Sequence, residues 1–100
     1  MAKNGMRPVH PGEILREEYL VPLETSVNAL SLALNMPATR LHEILKERRG
    51  VTADTSYRLA RYFGTTPEFW LNLQTTYDLK TLPNRSEIDR EVEPREAVHD

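Results

Sequence analysis

One hundred residues hold one small domain, and a hydrophobic share of 39% supports a single modest core. No stretch approaches the roughly 20 apolar residues a membrane span needs, and the opening MAKNGMRPVHPGE lacks the apolar centre of a secretory signal. Zero cysteine excludes a disulfide framework and a thiolate metal site and fits a reducing, cytoplasmic setting, while the net charge of −2 does not advertise a nucleic-acid partner.

Residues 1–10 carry no periodicity and read as a flexible lead-in. His10-Pro11-Gly12-Glu13 then opens a first helix. Glu13, Glu17 and Glu18 suit its early turns through the helix dipole. Ile14, Leu15, Tyr19 and Leu20 form its buried stripe, and Pro22 is expected to end it, since proline lacks the N–H a helix needs. Ser26 is placed to cap a second helix, although no Glu or Gln stands three residues on to complete a capping box. Val27, Leu30 and Leu34 recur there at spacings of three and four, with Ala29 and Ala33 beside them. Asn35 falls where the chain must turn left-handed, and Asn tolerates that conformation better than most residues.

Pro37 is expected in the first turn of a third helix, with Leu41, Ile44 and Leu45 on its apolar face. Gly50 is expected to close it after Arg48 and Arg49. Thr52 caps a fourth helix, with Asp54 in its first turn, Leu59, Ala60 and Phe63 as its stripe and Gly64 as its stop. Thr66-Pro67-Glu68 starts a fifth, followed at helical spacing by Phe69, Trp70, Leu73 and Tyr77. Beyond Leu79 come two prolines, many charges and little apolar content, the pattern of an extended or mobile tail. The reading is all-α: five helices in one domain over residues 11–79, and a charged tail over 80–100.

Two short amphipathic helices joined by a tight turn, between Ser26 and Arg49, have the pattern of a helix-turn-helix, which lays its second helix in the DNA major groove. Opposite Leu41, Ile44 and Leu45 lie Thr39, Glu43 and Lys46, flanked by Arg40 and His42. Such side chains match groove chemistry: Arg bonds guanine twice, Thr bonds a base or touches a thymine methyl, and Glu accepts from cytosine. Thr39 and Arg40, near the helix start, are the leading base readers, with Glu43 and His42 beside them. Lys46, Arg48 and Arg49 are placed for phosphates, as is Ser26 with its neighbouring N–H groups. Taken singly, Thr39 and Arg40 read sooner as solvated surface than as functional, and Arg48-Arg49 as ordinary charged loop. Their clustering is what points to DNA. The charge distribution agrees: residues 36–63 carry six basic and three acidic side chains, and residues 80–100 carry four basic and six acidic.

His10, His42 and His99 offer no metal-ligand pair at helical spacing, no nucleophile motif frames a serine, and no glycine-rich phosphate loop is present. Nothing in the chain argues for an enzyme, a metal, a cofactor, a membrane or a small-molecule substrate. A single small helical domain reads only a few base pairs, whereas two related by a two-fold axis read half-sites about 34 Å apart. A domain of this size has a radius of gyration near 13 Å, so a pair spans that distance. Phe69, Trp70 and Leu73 are the candidates for the seam, with plain core packing as the other reading.

HPGEILREEYLVPL, SVNALSLALNMPATRLHEILKERR and GVTADTSYRLARYFGTTPEFWLNLQTTYDL together closely resemble HigA-type antitoxins, within the phage-repressor-like class of helix-turn-helix proteins; the match covers residues 9–79. The resemblance implies a homodimer that represses its own operon at a palindromic operator and neutralises a HigB-type toxin, a ribosome-dependent endonuclease that cuts messenger RNA. It also implies that Pro37–Lys46 enters the groove with contacts clustered at Thr39 and Arg40, and that the helix of Phe69, Trp70 and Leu73 is tied to the dimer. The chain departs from the family at Glu24 and Asn35, where relatives carry glycine, and at Ser31, where they carry alanine. A stand-alone repressor without a toxin is the alternative, and an interaction domain without DNA binding is a third.

Overall fold

His10 starts the fold. Its Nδ1 accepts a hydrogen bond from the Gly12 N–H at 2.8 Å, so the imidazole caps the first helix, with Pro11 in the first turn. The computed structural model describes residues 7–95; the remainder of the expected lead-in and tail, with His99, lies outside the described residues. Within the expected lead-in, Arg7 donates to both carboxylate oxygens of Glu13, at 3.0 and 2.7 Å, and His10 is buried, so residues 7–10 are held against the first helix.

That helix, α1, has three contiguous segments: α-helical Pro11–Ile14, π-helical Leu15–Leu20 and α-helical Val21–Leu23. Pro22 does not end α1, as expected, but lies inside it. The ring would clash with the carbonyl four residues back, and a stretch of i→i−5 bonding, with the Val21 N–H reaching the Arg16 carbonyl, opens the turn just before it. Glu24 ends α1 instead, in the left-handed conformation at φ 52°.

α2 runs Val27–Leu34, capped by Ser26, whose Oγ accepts from the Ala29 N–H at 3.0 Å. Leu30, Ser31 and Leu34 are buried, while Ala29 and Ala33 face out. The Ser31 hydroxyl is accommodated by donating to the Asn28 carbonyl at 2.8 Å. Asn35 is left-handed at φ 55°, and the bonds Met36 N–H to Ser31 O and Asn35 N–H to Leu32 O close a Schellman turn.

α3 runs Ala38–Leu45. Pro37 is its extended N-cap rather than its first helical residue. The helix stops before Gly50: Glu47 takes the left-handed conformation at φ 63°, and Arg48 N–H to Glu43 O and Glu47 N–H to Ile44 O close a second Schellman turn. Gly50 has a different role, since a Cβ there would meet the Gln74 side chain at 2.6 Å. Gln74 uses that space to accept from the Val51 N–H at 2.8 Å.

α4 is Ala53–Phe63, capped by Thr52 and stopped at Gly64 with φ 75°. α5 is Pro67–Lys80, capped by Thr66. A sixth helix, α6, spans Arg85–Glu91 within the stretch expected to be extended. It lacks a side-chain cap, and every residue from Asp78 to Arg95 is exposed, so it stands off the body. The radius of gyration is 16.9 Å, with extents of 54 × 25 × 24 Å, more elongated than the 13 Å expectation for a sphere-like domain. Among the described residues there is no strand, and no helix is long and apolar enough to cross a membrane.

The core gathers residues from all of α1 to α5: Leu15 and Leu20, Leu30 and Leu34, Leu41 and Ile44, Leu59 and Ala60, and Trp70. Tyr19 and Phe63 pack on its edge, their rings 4.6 Å apart.

Candidate nucleic-acid interface

The surface of α3 follows from its sequence. Leu41 and Ile44 are fully buried and Leu45 nearly so, which turns Thr39, Glu43 and Lys46 outward. Pro37, Thr39, Arg40, Glu43 and Arg49 line one cleft along this face. His42 and Lys46 line a groove on its other side, across from Ser26, Thr25 and Arg16. The eight residues expected to meet DNA therefore fall around one helix. Thr39, Arg40, Glu43 and Arg49 lie on one flank, and His42, Lys46 and Ser26 on the other. Arg48 is exposed and stands 3.8 Å from Glu43.

Arg40 is half-buried, and its Nε is enclosed without a hydrogen-bond partner. A buried guanidine N–H left without a partner is costly in the free protein, and the group is better satisfied by an incoming acceptor. Ser26 caps as its position implies: its oxygen accepts the Ala29 N–H, so toward a phosphate it offers its hydroxyl proton.

Not all of the basic charge in this region faces outward. Arg58 donates to the Leu34 carbonyl at 3.0 Å and the Asn35 carbonyl at 3.2 Å, and pairs with Asp54 at 2.6 Å. It fastens α4 to the turn between α2 and α3. The hydrogen bond from Arg58, with added attraction from Arg40, holds the Asp54 carboxyl below the usual range. Arg16 fastens the other end of the motif by donating to the Leu45 carbonyl at 2.5 Å. Gly12 sits where α1 meets α3, and a Cβ on it would strike the Ile44 carbonyl. Sequence reasoning places Gly12 only at the opening of α1 and gives Arg16 and Glu47 no role. The proline-glycine pair opening α1 was a visible signal for Gly12, but nothing local marks the partners of Arg16 and Glu47.

Of the three residues expected at a seam between chains, Trp70 has no exposed surface. Its Nε1 donates to the Thr65 hydroxyl at 2.9 Å, and its ring stands 5.4 Å from Tyr19 and 5.0 Å from Phe69. Trp70 is core packing within one chain, because the indole fills the space between α1 and α5 and leaves nothing to present. Phe69, 39% exposed, and half-buried Leu73 line an apolar groove with Val9, Ile14, Asn72 and Thr76. Among the described residues, no group of three or more His, Asp or Glu side chains could hold a metal ion.

No protein-family model matches the chain. It is 58% identical over 78 residues to the virulence-associated protein I of Dichelobacter nodosus, covering 78% of this chain and 72% of that one. It is 38% identical over 86 residues to antitoxin HigA-1 of Vibrio cholerae, covering 85% and 80%. Among solved structures, antitoxin HigA of Pseudomonas aeruginosa, determined with the higBA promoter, superposes with a TM-score of 0.85 at 47% identity, over 88% of this chain and 98% of that one.

Proposed function

Because the chain belongs to the HigA family of antitoxins and related helix-turn-helix regulators, we propose that it is an autoregulating antitoxin. As a homodimer it binds a palindromic operator and represses its own operon, and it neutralises a HigB-type toxin that cuts messenger RNA. Its chemistry is binding alone, without a reaction of its own, and its place of work is the cytoplasm, where the operator and the toxin are found.

The observation that carries the DNA half is the polar outer face of α3, clamped at both ends by arginines and backed by three buried aliphatic side chains. Thr39 and Arg40, with Glu43 and His42, read bases. Lys46, Arg48, Arg49 and Ser26 hold phosphates. A solved structure of a similar chain supports the DNA-binding role: that of antitoxin GraA in complex with its operator is 48% identical with a TM-score of 0.85. Phe69 and Leu73 supply the exposed apolar surface for the dimer, and Trp70 supports it from within.

Two substitutions separate reading from holding. Arg40→Ala is expected to lower affinity for the selected operator by about 1–3 kcal/mol and to relax preference at one position. Lys46→Ala is expected to weaken binding to every duplex and flatten its salt dependence by about one unit of slope. Fluorescence anisotropy on operator and scrambled duplexes distinguishes them; an Arg40→Ala variant with unchanged affinity and preference removes Arg40 from the reading set. For the toxin half, tagged protein is isolated from the native host and its partners are identified by mass spectrometry. A small protein encoded next door, stoichiometric and toxic when expressed alone, establishes the antitoxin. Clean protein from cells expressing that neighbour leaves a stand-alone repressor.

A further inference from the structure

Glu47 occupies a place where a side chain is unwelcome. It ends α3 at φ 63°, a backbone region in which a Cβ crowds the following carbonyl oxygen and which glycine alone enters without cost. Its carboxylate Oε2 lies 3.6 Å from Arg16 Nη2, while Arg16 Nη1 donates to the Leu45 carbonyl. Both side chains are more than a third exposed, and pairs of that kind add little to stability. The strain of the left-handed glutamate is therefore not repaid in stability. What the pair supplies is geometry: one guanidinium on α1, its Nε bound to Glu17 at 3.1 Å, bonds a carbonyl in the last turn of α3 and faces the carboxylate just beyond that turn.

We infer that Glu47 is a positioning residue, which acts through Arg16 to fix the seat of α3 for base reading. The inference rests on the proposed DNA-binding role. The two points Arg16 meets, Leu45 and Glu47, flank Lys46 and lie about one to two turns beyond Arg40 and within about one turn of Glu43, so freeing that end lets the reading face rotate and slide. Reading a base edge demands tight placement, whereas phosphate contacts tolerate movement. The effect belongs to specificity.

Glu47→Gly tests it, because the variant removes the strain and the pair together. A duplex is first selected from a random pool by the wild-type chain, and a scrambled duplex serves as reference. The expected result is an unchanged or higher Tm with about three- to tenfold weaker binding to the selected duplex and no loss on the scrambled one. The direction is diagnostic, since deleting a negative charge beside DNA would by itself strengthen binding to both. Arg16→Gln is expected to give the same loss of preference, and the double variant no further loss. Wild-type preference in Glu47→Gly, stronger binding to both duplexes, or affinity that falls only in step with Tm each overturns the inference. A wild-type chain that enriches no sequence overturns the proposed function first, and this inference with it.

Discussion

Glu24 shows what a single side chain costs in the wrong backbone well. The chain ends α1 there at φ 52°, and the bonds Glu24 N–H to Val21 O and Thr25 N–H to Leu20 O fix that conformation. A Cβ in the left-handed region costs about 1–2 kcal/mol, part of which a glycine returns through the greater freedom of its unfolded chain. Glu24→Gly is therefore expected to raise stability by roughly 0.5–1 kcal/mol, read as a higher denaturant midpoint at unchanged helix content. A lower midpoint would mean that the glutamate makes up its strain in the folded chain. Among the three described non-glycine residues in the left-handed region, Asn35, at φ 55°, is the one whose side chain suits the conformation, and its residue type alone made it legible. Glu24 is marked only by the glycine that relatives carry at its place, and Glu47 not at all, because nothing in a glutamate itself announces a left-handed turn.

At the scale of elements, the reading helix is positioned by its neighbours more than by its own caps. α3 has no side-chain cap at its start, and its stop is a strained turn. It is held by α2 through the Asn35 turn, by α4 through Arg58 and by α1 through Gly12 and Arg16. Gly12 is the tightest of these contacts. Gly12→Ala drives a methyl into the Ile44 carbonyl, which cannot swing aside as a side chain would, so the two helices must separate. The expected cost is about 2–3 kcal/mol, measured by urea unfolding. Full retention of stability would show that α1 and α3 slide past one another freely. The charge surplus of residues 36–63 also looks different at this scale. Arg58 is bound to two carbonyls and an aspartate, which leaves Lys46, Arg48 and Arg49 as the more accessible cations near α3.

Across the whole molecule, His10 links the start of α1 to the far half of the chain, its ring edge-on to Tyr77 of α5 at 4.8 Å. Burial pushes its pKa below the ordinary 6.5, against the pull of the Glu47 and Asp78 carboxylates and with a smaller push from Arg16. The cap needs a neutral ring, because Nδ1 must accept the Gly12 N–H. With the folded pKa depressed, the unfolded chain binds the proton more readily. Stability is thus intact above 6.5 and is lost as pH falls from 6.5 toward the folded value. His10→Asn, a cap that does not titrate, should flatten the thermal midpoint between about pH 7 and 5 relative to the wild type. An equally steep wild type and variant would place the titration elsewhere.

The sequence by itself determined the helices of the body and the two faces of α3. Ser26, Thr52 and Thr66 cap as their positions imply, and Leu41, Ile44 and Leu45 are buried while Thr39 and Lys46 are not. Periodicity and capping act within one or two turns, so a short window contains all the partners. Even α6 marks the limit of that rule, since a short uncapped helix among charges gives a window too little apolar pattern to declare itself. Only the tertiary structure decided that Trp70 lies inside one chain, that Pro22 stays within α1 behind a π-helical stretch, and which arginines face outward. Arg16 and Arg58 bind carbonyls 29 and 24 residues away. An arginine bound to a distant carbonyl and one free to meet a phosphate are the same letter in the chain. Packing brings the carbonyl within reach, and that contact, not the residue type, settles the role.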